Sequence, residues 1–199
     1  MQDSNQFLNR RPAVAKLLQD RNDLLVVAGL GSAVWDVEAV AEDDLNFYIL
    51  GAMGSVVPIA LGLALAQPKR PVLALTGDAE LLMSAGSIAT ASIRKPANLS
   101  IVVLDNGRFG ETGSQISHTG QGVDLASMAS AAGFSTARSI SQPEQLADVR
   151  DRIHSCQGPA FFSLNVSADM PSVVMPVRDG AHLKHRFRQR LLGTDSAKV

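Results

Sequence analysis

Short apolar runs alternate with helix-like segments along almost the whole chain, and that alternation leaves few folds open. Residues 24–28 (LLVVA), 46–50 (NFYIL), 71–76 (PVLALT), 99–104 (LSIVVL) and 159–166 (PAFFSLNV) have the unbroken apolar or β-branched character of strands covered on both faces, and 135–138 adds a sixth, shorter one. Helix-like stretches lie between them, at 32–40, 54–66, 81–94, 123–132 and 142–154. Parallel neighbours need a crossover of about a dozen residues or more, which these stretches supply. The expected architecture is a three-layer α/β/α domain around a mainly parallel sheet of about six strands.

The ends of the chain read differently. Residues 1–20 are expected to be an N-terminal helix or extension, 21–170 the α/β domain, and 171–199 a tail with a basic stretch at 181–192 that suits a solvated or partner-packing helix. The apolar stretch 51–66 is about 16 residues long and holds Pro58, Gly54 and Gly62, so a buried helix is expected rather than a membrane span, which takes about 20. With 18 basic and 19 acidic residues the net charge is −1, a poor basis for binding nucleic acid or an anionic membrane. A lone cysteine, Cys156, provides neither a disulfide framework nor a Cys-rich zinc site. The charged first residues lack the apolar core of a secretory signal, and a cytoplasmic address is expected.

In an open parallel sheet, ligands bind beyond the carboxyl ends of the strands. Three such ends here are rich in glycine, acid or amide: Gly29-Leu30-Gly31-Ser32, Gly77-Asp78-Ala79-Glu80 and Asp105-Asn106-Gly107-Arg108. Glycine lets a ligand approach the backbone, and a helix start offers free N–H groups to phosphate. Asp78 repels a phosphate directly but can hold one through a divalent cation. Asn106 follows 28 positions later, the spacing of two neighbouring parallel strands joined by one helix. A carboxylate, an amide oxygen and a backbone carbonyl are hard oxygen ligands that suit Mg2+. Taken singly, Asp78 also reads as a helix cap and Asp105-Asn106-Gly107 as a plain turn. The residues lack the third glycine of a dinucleotide fingerprint (Val34 stands there), a P-loop, and a Gly-x-Ser-x-Gly elbow.

Gly77-Asp78-Ala79-Glu80, a spacer of about 25 residues and Asp105-Asn106-Gly107 together resemble the thiamine diphosphate motif, and Gly51-Ala52-Met53-Gly54 resembles the segment that precedes it. The resemblance covers about 24–166, and is nearest to the diphosphate-binding part of sulfopyruvate and phosphonopyruvate decarboxylases. It implies that Asp78, the side chain of Asn106 and the backbone carbonyl of Arg108 ligate Mg2+, and that Gly31, Ser32, Gly77, Ala79, Glu80, Phe109, Gly110 and Glu111 surround the diphosphate. It implies that the Gly51 carbonyl accepts a hydrogen bond from the aminopyrimidine and that Met53 wedges the cofactor into its bent shape, though a core-filling methionine is the plainer reading. The implied reaction is loss of CO2 from a small 2-oxo acid to give an aldehyde. Three departures stand out: Ala79 replaces the second glycine of the motif, Glu80 replaces a small residue and is expected to turn away from the phosphates, and the turn at 29–32 lacks a threonine.

These enzymes also need a glutamate from a pyrimidine-binding domain, for which the 199 residues leave no room. A separate subunit carrying that domain and its catalytic Glu is expected, in a hetero-oligomer; a homodimer lacking that acid is the competing view. The loop after Asn106 holds Arg108, Phe109, Glu111, Thr112, Gln115, Ser117 and His118, which suit the acidic end of a substrate. His118 has a titration range fit for proton transfer, though an exposed loop histidine is the plainer reading. A carboligase or transferase subunit and a non-catalytic cofactor-binding subunit are the alternatives.

Overall fold

A computed structural model describes residues 7–193. Six parallel strands form one sheet in the order β2-β1-β3-β4-β8-β7, with β1 Leu25–Ala28, β2 Asn46–Tyr48, β3 Val72–Gly77, β4 Leu99–Asp105, β7 Thr136–Ile140 and β8 Ala160–Asn165. All six expected strands are present. β3 and β4 are direct neighbours, registered from Val72 opposite Leu99 to Gly77 opposite Leu104.

Alternation along the strands divides the core in two, because successive side chains point to opposite faces. Val26, Ala28, Leu73, Leu75, Val102, Leu104, Phe162 and Leu164 face one layer, with α1 (Arg10–Leu17), α2 (Ser32–Ala41) and α7 (Leu146–His154). Leu25, Val27, Val72, Ala74, Ile101, Val103 and Phe161 face the other, with α3 (Val56–Ala66), α5 (Gly86–Arg94) and α6 (Leu125–Ala131). Both faces being covered, the strands read as continuous apolar runs rather than alternating ones.

Four details depart from the sequence expectations. The helix expected over 81–94 is two, α4 (Asp78–Met83) and α5, because Ser84 leaves helical geometry at φ −130°, ψ 40°. The loop expected after Asn106 contains a small antiparallel hairpin, β5 (Arg108–Phe109) with β6 (Gln115–Ile116), folded back by the bond from the Ser117 N–H to the Gly107 carbonyl at 2.9 Å. α3 buries Val56, Val57, Ala60, Leu61 and Ala64 but leaves Pro58, Ile59, Gly62 and Leu65 exposed, so the apolar helix is buried on one side only. The terminal stretches join the domain. Leu8 bridges to Val166 in parallel and α1 packs on α2 and α7, while α8 (Gly180–Leu192) sets Phe187 against Phe47 of β2 with ring centroids 5.3 Å apart. The remainder of both expected terminal segments lies outside the described residues. Among the described residues no helix is long and apolar enough to cross a membrane.

Candidate active site

The chain moves outward from β1 to β2 and then returns to the other side of β1 for β3, which makes the β1/β3 boundary the topological switch point, where open α/β sheets leave a crevice. A cavity of about 360 Å3 opens there, lined by Leu30 and Ser32 after β1, Gly77, Asp78, Ala79 and Glu80 after β3, and Asn106, Arg108, Phe109, Gly110 and Glu111 after β4. Met53 and Met83 form part of its wall. Eleven of the residues singled out in the sequence thus meet in one space: Ser32, Met53, Gly77, Asp78, Ala79, Glu80, Asn106, Arg108, Phe109, Gly110 and Glu111.

Three others stand beside it. Gly31 caps α2 at φ +74°, a conformation glycine adopts without penalty, and a Cβ there would lie 1.9 Å from a Glu111 carboxylate oxygen. Gly51 is exposed and forms none of the wall. His118 borders an adjoining cavity of about 470 Å3 with Leu82, Val123 and Met128, which shares Met53, Ala79, Met83 and Phe109 with the first; its ring meets Phe109 edge to face.

Asp78 is buried and held by hydroxyls. Ser117 Oγ donates to Asp78 Oδ2 in a short bond, and Thr119 Oγ1 approaches the same oxygen at 2.9 Å. Thr119 Oγ1 also lies 2.7 Å from Asp105 Oδ1, and the Gly107 N–H donates to that atom at 3.1 Å. Burial pushes the Asp105 carboxyl above the ordinary carboxylate range and the Asp78 charge adds to the effect, while the Thr119 hydrogen bond opposes it. Asn106 Oδ1 accepts the Arg108 N–H at 3.0 Å, which fixes the amide over the turn. Ser117, expected among substrate-facing residues, therefore belongs to the support of Asp78. Thr119, without a motif of its own, was not singled out in the sequence.

Glu80 is directed to Thr76 and Gly29. Thr76 Oγ1 donates to Glu80 Oε2 at 2.8 Å, and the same oxygen would stand 1.9 Å from a Cβ on Gly29, so the glycine makes room for the acid. Burial raises the Glu80 pKa, opposed by the Thr76 bond. Arg10 is a residue that sequence reasoning missed: no motif surrounds it, yet it lines the cavity at 3% exposure.

The donors present fit a magnesium-bound diphosphate. A carboxylate, an amide oxygen and the backbone of Arg108 converge at neighbouring strand tips, a buried Arg10 Nη2 has no hydrogen-bond partner, and Gly31, lacking a Cβ, leaves room at the start of α2 that the Glu111 carboxylate enters.

Comparison with known proteins gives the family. Residues 35–164 match the family described as thiamine pyrophosphate enzyme, C-terminal TPP binding domain. The chain belongs to that family. It is 32% identical over 190 residues to the sulfopyruvate decarboxylase subunit beta of Methanothermobacter thermautotrophicus, covering 94% of this chain and 97% of that one. It is 33% identical over 181 residues to the phosphonopyruvate decarboxylase of Streptomyces viridochromogenes, covering 90% of this chain but 45% of that longer protein. The benzoylformate decarboxylase of Polynucleobacter necessarius superposes with a TM-score of 0.73 at 19% identity, over 83% of this chain and 34% of the other, a likeness of fold alone. The domain is accordingly a thiamine diphosphate-binding one.

Proposed function

We propose that the chain is the thiamine diphosphate- and Mg2+-binding subunit of a 2-oxo acid decarboxylase of the sulfopyruvate/phosphonopyruvate kind, releasing CO2 and an aldehyde. The observation that carries this is the meeting of Asp78 and Asn106 at neighbouring strand tips in a cavity that Met53 also walls. Asp78, the Asn106 amide oxygen and the Arg108 carbonyl would hold the metal, with Ser117 and Thr119 fixing Asp78 in place. When bound, thiamine diphosphate supplies the nucleophilic carbon and the electron sink for decarboxylation. Gly51 would accept a hydrogen bond from the aminopyrimidine and Met53 would prop the two rings. His118 is the one titratable side chain on the adjoining cavity wall, and is assigned to hold a proton near the substrate.

A partner subunit carrying the pyrimidine-binding domain and its glutamate completes the site. Two features support this: the relative matched end to end is named as a beta subunit, and Met53, Ile59, Leu65 and Met83 are 40%, 38%, 42% and 65% exposed beside the site and on the outer side of α3. Apolar residues in such positions mark an interaction surface.

Co-purification of the chain from its host, followed by assay of CO2 release from a panel of 2-oxo acids, tests the reading. Turnover of at least one acid by the complex, and none by the chain alone, is expected. Robust turnover by the isolated chain would remove the need for a partner. A complex that binds the cofactor but turns over no acid would favour the non-catalytic role.

A further inference from the structure

Arg10 sits on α1, remote in sequence from every motif, yet it lines the cofactor cavity. Its Nε pairs with Asp36, which is fully buried and also accepts Arg11 Nε at 3.0 Å. Its Nη1 donates to Ser32 Oγ at 2.8 Å, at the first turn of the ten-residue helix α2. Its Nη2 is buried and has no hydrogen-bond partner. Arg10 also borders a second cavity, of about 530 Å3, lined by Asn9, Arg11, Ser167 and Pro171, but Ser32 lines only the first, so the Nη1 end of the fork lies on the cofactor side.

A buried donor without an acceptor costs roughly 1–3 kcal/mol, and more when charged, so such a group calls for a partner, whether an ordered water or a ligand. The charge in the cavity leaves few groups to meet an anion. Asp78, Glu80 and Glu111 contribute three carboxyl groups, and Arg10 and Arg108 are the two guanidinium groups on the wall. Arg108 Nη1 is already directed to the Ser114 carbonyl at 3.3 Å. The start of α2 favours negative charge, and the Glu111 carboxylate lies against Gly31 there.

We infer that Arg10 is a cofactor-binding residue: its Nη2 donates to an oxygen of the diphosphate, in the corner formed by Ser32 and the start of α2, and the Glu111 carboxylate vacates that corner on loading. Asp36 aligns the fork, and Arg11 shares the Asp36 charge so that Arg10 keeps a surplus for the anion. The assignment rests on the thiamine diphosphate reading of the cavity.

Calorimetric titration of thiamine diphosphate with Mg2+ into the complex recovered from the host, for the natural chain, R10K and E111Q, tests it. Lysine retains a cation against Asp36 but cannot also span Ser32 and the anion. R10K is expected to keep a cooperative thermal transition while the cofactor dissociation constant rises about ten- to a hundredfold. The loss should appear in that constant and not in KM for the 2-oxo acid at saturating cofactor. E111Q, which removes a competing charge, is expected to bind the cofactor more tightly. Unchanged affinity in a folded R10K overturns the assignment, and so does a raised KM at unchanged affinity, which would give Arg10 to the acid group of the substrate. If R10K fails to fold, E111Q decides: affinity unchanged or weakened overturns the proposal. A natural complex that binds no cofactor defeats the functional reading and this assignment together, whereas natural binding with an indifferent R10K defeats only Arg10.

Discussion

The hydroxyl of Thr76, the next-to-last residue of β3, donates to the carboxyl of Glu80 in the first turn of α4 at 2.8 Å, and Gly29 leaves the space in which they meet. The bond does not offset burial, which holds the Glu80 pKa above its ordinary value, as it does for Asp105. An acid with a raised folded-state pKa binds its proton more tightly in the folded protein. Its contribution to stability is fully present below the unfolded-state pKa and is lost as pH rises through the folded one. Glu80→Gln is therefore expected to be more stable than the natural chain at neutral pH in metal-free buffer, with the gap closing as the buffer is acidified below the raised pKa. Urea titrations of both proteins across pH 4 to 8, a range set by carboxylate pKa values, check this; a gap that widens on acidification would contradict it.

Asp78→Asn keeps a side chain that Ser117 and Thr119 can engage but removes the charge that would hold the metal. Thermal unfolding should shift little, while Mg2+-dependent affinity for thiamine diphosphate falls about a hundredfold. Calorimetry with and without Mg2+ separates this from a general weakening, since the variant should respond to the metal far less than the natural chain.

Ile59 and Leu65 lie on the outward side of α3, and their large apolar side chains meet solvent in the isolated chain. Replacing both with aspartate should leave the stability of the chain within about 1 kcal/mol, as exposed substitutions do. Partner recovery in co-purification should be lost. Retention of the partner by this variant would move the contact face elsewhere.

Leu75 is fully buried in β3, three positions before Asp78, and faces the layer built from α1 and α2. Leu75→Ala is expected to cost about 2–5 kcal/mol, measured by denaturant unfolding. Because the strand carries Gly77 and Asp78 at its tip, cofactor affinity should drop in the same variant even under conditions where it remains folded.

The sheet was legible because strands covered on both faces advertise themselves as unbroken apolar runs, and the site because its glycines and acids follow those runs immediately. Asp78 and Asn106 were placed by their spacing and by family resemblance together, Met53 by the resemblance alone. Other parts left weaker traces. The break between α4 and α5 lies in a run of small residues that is as compatible with one helix as with two. Leu183 and Phe187, four apart in a basic stretch, carried the helical spacing that could have shown α8 docking on the sheet. Arg10 left no local trace, because its partners Ser32 and Asp36 lie more than 20 residues away and side-chain pairing across such a distance has no period.

The pairing of Leu8 with the end of β8 has a consequence for the order of assembly. The Leu8 N–H finds its acceptor in Asn165, and the Ser167 N–H closes back on Leu8. The amino-terminal segment that carries Arg10 meets α2 early, but Leu8 finds its partners on β8 only once residues 165–167 have been synthesised. That edge of the sheet is a late-closing seam, and a fusion tag that restrains the amino terminus would be felt there before it disturbed the rest of the sheet.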